Sequence, residues 1–182
     1  MPRITPPTEF TAEQKPVADE IMKTLGGQLG GPYCAWINRP ELAKRIHNLS
    51  NYYRGPAAIP DKLRLLAVLT TIQHWGAEFP WSAQVAQALK AGLAKATIHA
   101  IGEGKVPSLT DPDEEAVYQV ATELLDRRSL SDATYRRALD LLGQGVLTEL
   151  VALVGHFTTV SLTAVAFEIQ PRVNPEVALR KN

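Results

Sequence analysis

Residues Arg64 to Leu93, RLLAVLTTIQHWGAEFPWSAQVAQALKAGL, decide the fold. Leu63, Leu66, Ala67, Thr70 and Thr71 recur at the i, i+3, i+4, i+7 spacing of a buried helical face, and Trp81, Val85, Ala88 and Leu89 repeat the pattern. The stretch reads as two helices with a polar joint, His74-Trp75-Gly76-Ala77-Glu78-Phe79-Pro80-Trp81. Gly76 lets the chain turn, and Pro80 suits the first turn of the second helix. Within the joint a carboxylate sits among aromatic rings, a costly arrangement unless it is paired, hydrogen-bonded or protonated.

Outward from this pair, the flanking segments also read as helices. Thr11 and Gln14 form a capping box, after which Val17, Ile21 and Leu25 line one face. Gly26-Gly27 and Gly30-Gly31-Pro32 bracket a loop. Asn38 stands as an N-cap before Pro40, opening a helix to about Tyr53 whose core stripe is Leu42, Ile46 and Leu49. A short helix follows around Lys95 to Gly102. Asp111 or Thr110 caps the next, with Val117, Val120, Ala121, Leu124 and Leu125 on its apolar face, and Ser131 caps another that stops near Gly143. The last helix, about Gln144 to Glu168, is apolar on most sides, as expected of a helix buried in the core or in a subunit interface. No stretch alternates with the period of a strand, so the fold is all-α, with about seven to eight helices in a single domain spanning 1–182. Residues 1–10 form a proline-rich extended arm and 171–182 a tail.

Bulk properties narrow the function. With 19 basic and 19 acidic residues the chain has no net field to attract nucleic acid or an anionic membrane. The N-terminal MPRITPPTEF lacks the apolar core of a signal peptide, and no run of about 18 apolar residues is expected to span a bilayer, so a cytoplasmic protein is expected. His47, His74, His99 and His156 show no HxxxH or HExxH spacing, and no phosphate-binding glycine motif is present. No metal site is expected. Cys34 is the one cysteine, which excludes an intrachain dithiol couple. Its neighbours Tyr33, Ala35 and Trp36 favour a packed, inert thiol.

The run from His74 to Leu93 (H-W-G-A-E-F-x-W-x-A-x-x-x-x-A-x-K-A-G-L), together with Gly31-Pro32, Arg39-Pro40-Glu41-Leu42-Ala43 and the block from Leu147 to Thr158, resembles the carboxymuconolactone decarboxylase family, relatives of the thiol peroxidases called AhpD. The resemblance implies an AhpD-like orthogonal helical bundle that assembles into a homo-oligomer (dimer, trimer or hexamer). It implies no cofactor, and a small carboxylated substrate, lactone or aromatic-derived. Placed on the peroxidase pattern C-x-x-C-x-x-x-H, the chain puts Ala77 and Pro80 at the cysteine positions, Gln84 at the histidine and Leu65 at the upstream acid. A dithiol peroxidase mechanism therefore lacks its residues.

Decarboxylation needs a pocket that grips a carboxylate, strips it of water and delivers a proton to the carbanion left behind. Glu78 is the candidate general acid or base, since an aromatic setting favours the neutral carboxyl, and His74 is the assisting group. A helix-capping or arginine-paired Glu78 and a His74 bonded to backbone are the structural alternatives. Trp81 and Gln84 are candidate pocket contacts, though Gln84 exchanges no proton near neutrality. Arg54 and Arg64 are the nearest basic candidates for gripping a carboxylate, with a surface ion pair as the structural alternative for each. His156, in the middle of an apolar helix, is a candidate substrate contact or a structurally satisfied histidine. Loss of the redox residues also suits a non-catalytic binding protein that keeps the fold.

Overall fold

A computed structural model describes residues 2–171 and 173–180. Eight helices and no strand occur among the described residues: α1 (Gln14–Thr24), α2 (Tyr33–Trp36), α3 (Pro40–Arg54), α4 (Asp61–His74), α5 (Glu78–Lys90), α6 (Lys95–Gly102), α7 (Pro112–Arg127) and α8 (Asp132–Ala166). Helix α8 is two helices in one, broken where Gly143 takes φ 76° and ψ 163°, so the sequence boundary near that residue is a real break.

Helix α4 is the axis of the molecule. It packs against α5, α6, α7 and α8, and every residue from Leu63 to Ile72 is buried. A helix enclosed by neighbours on all sides needs apolar residues on all sides, and α4 has them except at Arg64, Thr70 and Thr71. The two threonines return their hydroxyls to Leu66 O and Ala67 O, at 2.9 and 2.8 Å, so neither is left unpaired. The joint turns at Gly76, whose φ of 62° is open to glycine at little cost, and α5 then buries Trp81, Val85 and Ala88 against the same core.

Several caps follow the sequence. Thr11 and Gln14 exchange reciprocal bonds of 3.0 and 3.2 Å. Asp111 accepts from the Asp113 N–H at 3.0 Å and Ser131 from that of Thr134 at 3.2 Å. Asn38 does something else. Its amide donates to Cys34 O and Ala35 O, closing the end of α2, and α3 begins after Arg39 without a side-chain cap.

A larger correction concerns the faces of α3. Leu42 and Leu49, expected in the core, are 49% and 40% exposed, whereas Ala43, His47 and Tyr53 are buried. The inner face meets α1, α2 and a cavity, and its polar groups are satisfied by one another. A second apolar cluster, built from Ala18, Ile21, Leu29, Tyr33, Trp36, Ile37 and Ala43, lies on this side of the molecule, apart from the main core around α4.

Helix α8 also departs from expectation. It contains an 18-residue window of mean hydropathy 1.5, long and apolar enough by composition to cross a membrane. This corrects the expectation that no apolar stretch of that length exists; threonines and glycines interrupt the run in the sequence. Only 28% of that window is buried, and Val151, Leu162 and Val165 face outward. The described segments near each terminus pack back onto the body. The Arg3 N–H donates to Phe167 O at 2.9 Å, and in the tail the Arg180 N–H donates to Gly102 O at 2.9 Å while Lys95 pairs with Glu176 at 2.7 Å.

Candidate functional site

Between the two apolar clusters lies a cavity of about 240 Å³. Trp36, Phe79, Phe157 and Val160 supply apolar wall, and Tyr33, Ser50, Tyr53, Arg54, Arg64, Gln84 and His156 supply its polar lining. Phe79 reaches the wall because the loop ahead of α2 crosses it at a glycine. A Cβ on Gly31 would lie 2.3 Å from the Phe79 ring, so no other residue fits there without displacing it.

Four residues of α3 lie at i, i+3, i+4 and i+7: His47, Ser50, Asn51 and Arg54. They form a connected polar stripe. His47, 1% exposed, bonds through Nδ1 to the Tyr33 hydroxyl at 3.0 Å and through Nε2 to the Asn51 amide nitrogen at 3.1 Å and Thr24 Oγ1 at 3.2 Å. Arg54 donates to Asn51 Oδ1 at 3.0 Å. Ser50 Oγ lies 3.0 Å from His156 Nε2, which ties α3 to the middle of α8.

The electrostatics of this corner suppress charge on its imidazoles. Burial, helped by the Arg54 guanidinium, holds His156 down at about 4. His47 is lowered by burial and Arg54 in turn, against a smaller opposing pull from Glu20. Both rings are therefore neutral at physiological pH. Burial raises the Tyr33 hydroxyl, against the lowering effects of Ser50 and Arg54, and burial with the Glu149 charge pushes Tyr53 up to about 12. Tyr53 stacks on His156, ring centres 6.1 Å apart, and donates to Glu149 O at 2.8 Å.

The residues nominated from sequence separate into two groups. Arg64, Gln84 and His156 line the cavity together. Arg64 is 8% exposed and held by Asp61 through bonds of 3.1 and 2.7 Å, leaving one edge of the guanidinium for the cavity. The Gln84 carbonyl oxygen is buried with no partner in the protein. Glu78, His74 and Trp81 are not among the lining residues. Glu78 begins α5 and is half-buried. His74 faces Asp126 at 3.4 Å. Trp81 is fully buried in the core, where its indole N–H donates to Val177 O of the tail at 2.8 Å. Of the three aromatic rings in the joint, Phe79 alone reaches the cavity, since the Trp75 N–H is committed to Thr158 Oγ1 at 3.2 Å.

Sequence reasoning does not single out Tyr33, Ser50, Tyr53 or His47 as site residues. The available signal is the polar i, i+3, i+4, i+7 stripe on α3, which reads as a solvated face unless one knows that it points inward. Cys34 is buried and forms no disulfide. No cluster of three or more histidine, cysteine or acidic side chains suited to a metal occurs among the described residues.

Comparison with known proteins shows what this arrangement is built on. No family model matches the sequence, and no curated protein matches it either. Solved structures do. A protein of unknown function from Agrobacterium tumefaciens, assigned only provisionally as an antioxidant defence protein AhpD, superposes with a TM-score of 0.66 at 17% identity, over 77% of this chain and 97% of its own. The apo form of the debrominase Bmp8 superposes with a TM-score of 0.70 at 16% identity, over 89% of this chain and 87% of its own. Identities this low establish the architecture and leave the chemistry open, and the chain has the AhpD-like all-helical fold.

Proposed function

We propose that the protein is a cofactor-independent enzyme that binds a small carboxylate in the cavity between α3, α5 and α8 and acts on it by general acid–base catalysis. One observation carries this reading. Two guanidiniums, a neutral buried imidazole and an unpartnered amide carbonyl converge on a cavity of about 240 Å³ with apolar walls. Arginine forks match carboxylates in geometry, and low surrounding polarity strengthens the pairing. The Gln84 carbonyl then asks for a donor on the same ligand, such as a hydroxyl.

His156 is the proton carrier in this reading, taking the role that the sequence assigns to Glu78 and His74, which lie outside the cavity lining. Its basicity is suppressed by burial and by Arg54. A bound carboxylate cancels part of the Arg54 field, so the substrate itself restores the imidazole's affinity for a proton. Decarboxylation, the reaction implied by the family resemblance, is compatible with this lining if Arg64 and Arg54 hold a carboxylate that the substrate keeps: the C–C bond to a second carboxylate breaks, carbon dioxide leaves, and the electron pair left on carbon takes a proton from His156. A neighbour of the same architecture is a debrominase, so the fold by itself does not select decarboxylation. A binding protein without turnover is favoured by one feature, the replacement of all the peroxidase redox positions by Leu65, Ala77, Pro80 and Gln84.

The test is carbon dioxide release from a panel of carboxylated lactones and β-keto acids, with His156→Asn, Arg64→Gln and Glu78→Gln in parallel. The expectation is a fall in kcat of about 100-fold or more for His156→Asn, a raised KM for Arg64→Gln and little change for Glu78→Gln. Collapse in Glu78→Gln with His156→Asn unaffected would move the chemistry out of the cavity. Benzoate binding without turnover of any compound would favour the binding protein.

A further inference from the structure

The hydrogen bonds of α3 fix an order of protons that ends in the cavity. A guanidinium can only donate, so the 3.0 Å bond from Arg54 assigns the Asn51 oxygen to that side and turns its NH₂ toward His47. An amide nitrogen also only donates. At 3.1 Å from it, His47 Nε2 must present a lone pair, and the proton of the neutral ring must sit on Nδ1. Nδ1–H then donates to the Tyr33 oxygen 3.0 Å away. With its oxygen accepting from His47, Tyr33 keeps its own hydrogen to give elsewhere, and the residue lines the cavity. Thr24, the other neighbour of Nε2 at 3.2 Å, gives its one hydroxyl hydrogen to Ile21 O at 2.9 Å; that hydroxyl can rotate to donate to Nε2 instead, whereas the Asn51 NH₂ has no acceptor form, so the amide decides the tautomer.

We infer that Arg54 and Asn51 lock His47 in its Nδ1–H tautomer, and that this makes Tyr33 a hydrogen-bond donor to the substrate carboxylate beside the guanidiniums. Tyr33 is thus a further substrate-binding residue, and His47 and Asn51 are positioning residues that act through it. The inference rests on the carboxylate reading for Tyr33's ligand, but the tautomer itself can be measured without any ligand.

The alternative tautomer is instructive. With a proton on Nε2, His47 would face the Asn51 NH₂ donor to donor, and Tyr33 would have to spend its hydrogen on Nδ1. The cavity would then lose a donor. An isosteric change makes this happen on purpose: in Asn51→Asp the carboxylate offers only acceptors, so Nε2–H becomes the favoured form.

The test uses the full chain labelled with ¹⁵N. Long-range ¹H–¹⁵N correlation at pH 7 is expected to show His47 as the Nδ1–H tautomer in the wild type and as Nε2–H in Asn51→Asp. Benzoate, the probe carboxylate, is expected to bind about tenfold more weakly to Asn51→Asp and to Tyr33→Phe. The double variant is expected to lose no more than Tyr33→Phe alone, because both changes remove the same donor. Additive losses would mean that the negative charge introduced by Asn51→Asp acts on the ligand directly, and would overturn the routing through Tyr33. A wild-type His47 found as Nε2–H, or as the cation, would overturn the lock. The expected tautomer with no benzoate binding would sink the carboxylate reading and Tyr33's part in it, a result separable from failure of the lock.

Discussion

Helices α4 and α3 present the same kind of evidence in sequence, apolar residues at helical spacing, and bury opposite things. On α4 the apolar residues are the core, from Leu63 to Ile72 without interruption. On α3 the leucines at 42 and 49 look outward, and the side that turns inward carries His47, Ser50 and Asn51 beside Ala43 and Tyr53, with the exposed Arg54 at the helix end bordering the cavity. Periodicity reports that a helix has two unlike faces. It does not report which face meets the protein's own interior, because a polar face can be enclosed when its groups satisfy one another.

The contrast can be broken most forcefully by truncating each helix on its buried side. Leu66→Ala on α4 removes a side chain with no exposure from the centre of the core, and is expected to cost about 2–5 kcal/mol in urea denaturation. His47→Leu on α3 keeps the volume and gives up hydrogen bonds to an exposed threonine, a half-buried amide and Tyr33. Its expected cost is about 1–2 kcal/mol, together with weaker benzoate binding. Equal losses at the two positions would mean that the polar stripe is as much a part of the stabilising core as α4.

A second difference is in pH. In the unfolded chain His156 titrates near 6.5, but in the fold only at about 4. Between those values the unfolded chain takes up a proton that the folded one refuses. Stability is thus intact above pH 6.5, falls as the pH drops toward 4, and loses nothing further from this group below that. The contribution is on the order of 3 kcal/mol, and the lowered His47 acts in the same direction. Denaturation series from pH 7 to 4 are expected to show this slope in the wild type and in Leu66→Ala, and a much shallower one in His156→Phe. A slope unchanged by His156→Phe would place the pH sensitivity among the carboxylates.

How far the sequence speaks follows from the same physics. The central pair, the Gly76 turn, the capping box at Thr11 and the caps at Asp111 and Ser131 are legible because each is a local device, set by residues a few positions apart. Arg64, Gln84 and His156 stand out separately in the sequence, and the structure brings them to one cavity. What local pattern could not supply was the seam between the two apolar clusters, where Tyr33 of α2, the α3 stripe and His156 of α8 meet across more than a hundred residues of chain. Glu78 and His74 attract notice because they are close in sequence to aromatic rings. Those rings are mostly committed to the core, Trp81 to the tail and Trp75 to Thr158.

The outward leucines of α3 leave the smallest effect on the single chain and sharpen the comparison most. Leu49 and Leu162 are 40% and 44% exposed, and Leu42, Val151 and Val165 add to the apolar surface of the same two helices. Helix α3 touches α8 through the bond from Tyr53 to Glu149 O, so these side chains belong to neighbouring elements. Scattered exposed leucines need no explanation, but exposed leucines and valines on two neighbouring helices are better matched to a covered surface. A second copy of the chain is the expected cover. Leu49→Glu and Leu162→Glu should each shift sedimentation equilibrium from an associated species to the monomer. In the monomer's own unfolding each should change stability by no more than about 0.5 kcal/mol, since neither side chain is in the core. If the wild type is monomeric at every concentration, α3 is an ordinary surface helix with its stripe reversed, and its leucines answer to no partner. If association is lost in both variants, the two faces of α3 have separate work: the outer one joins subunits, and the inner one holds the proton order of the cavity.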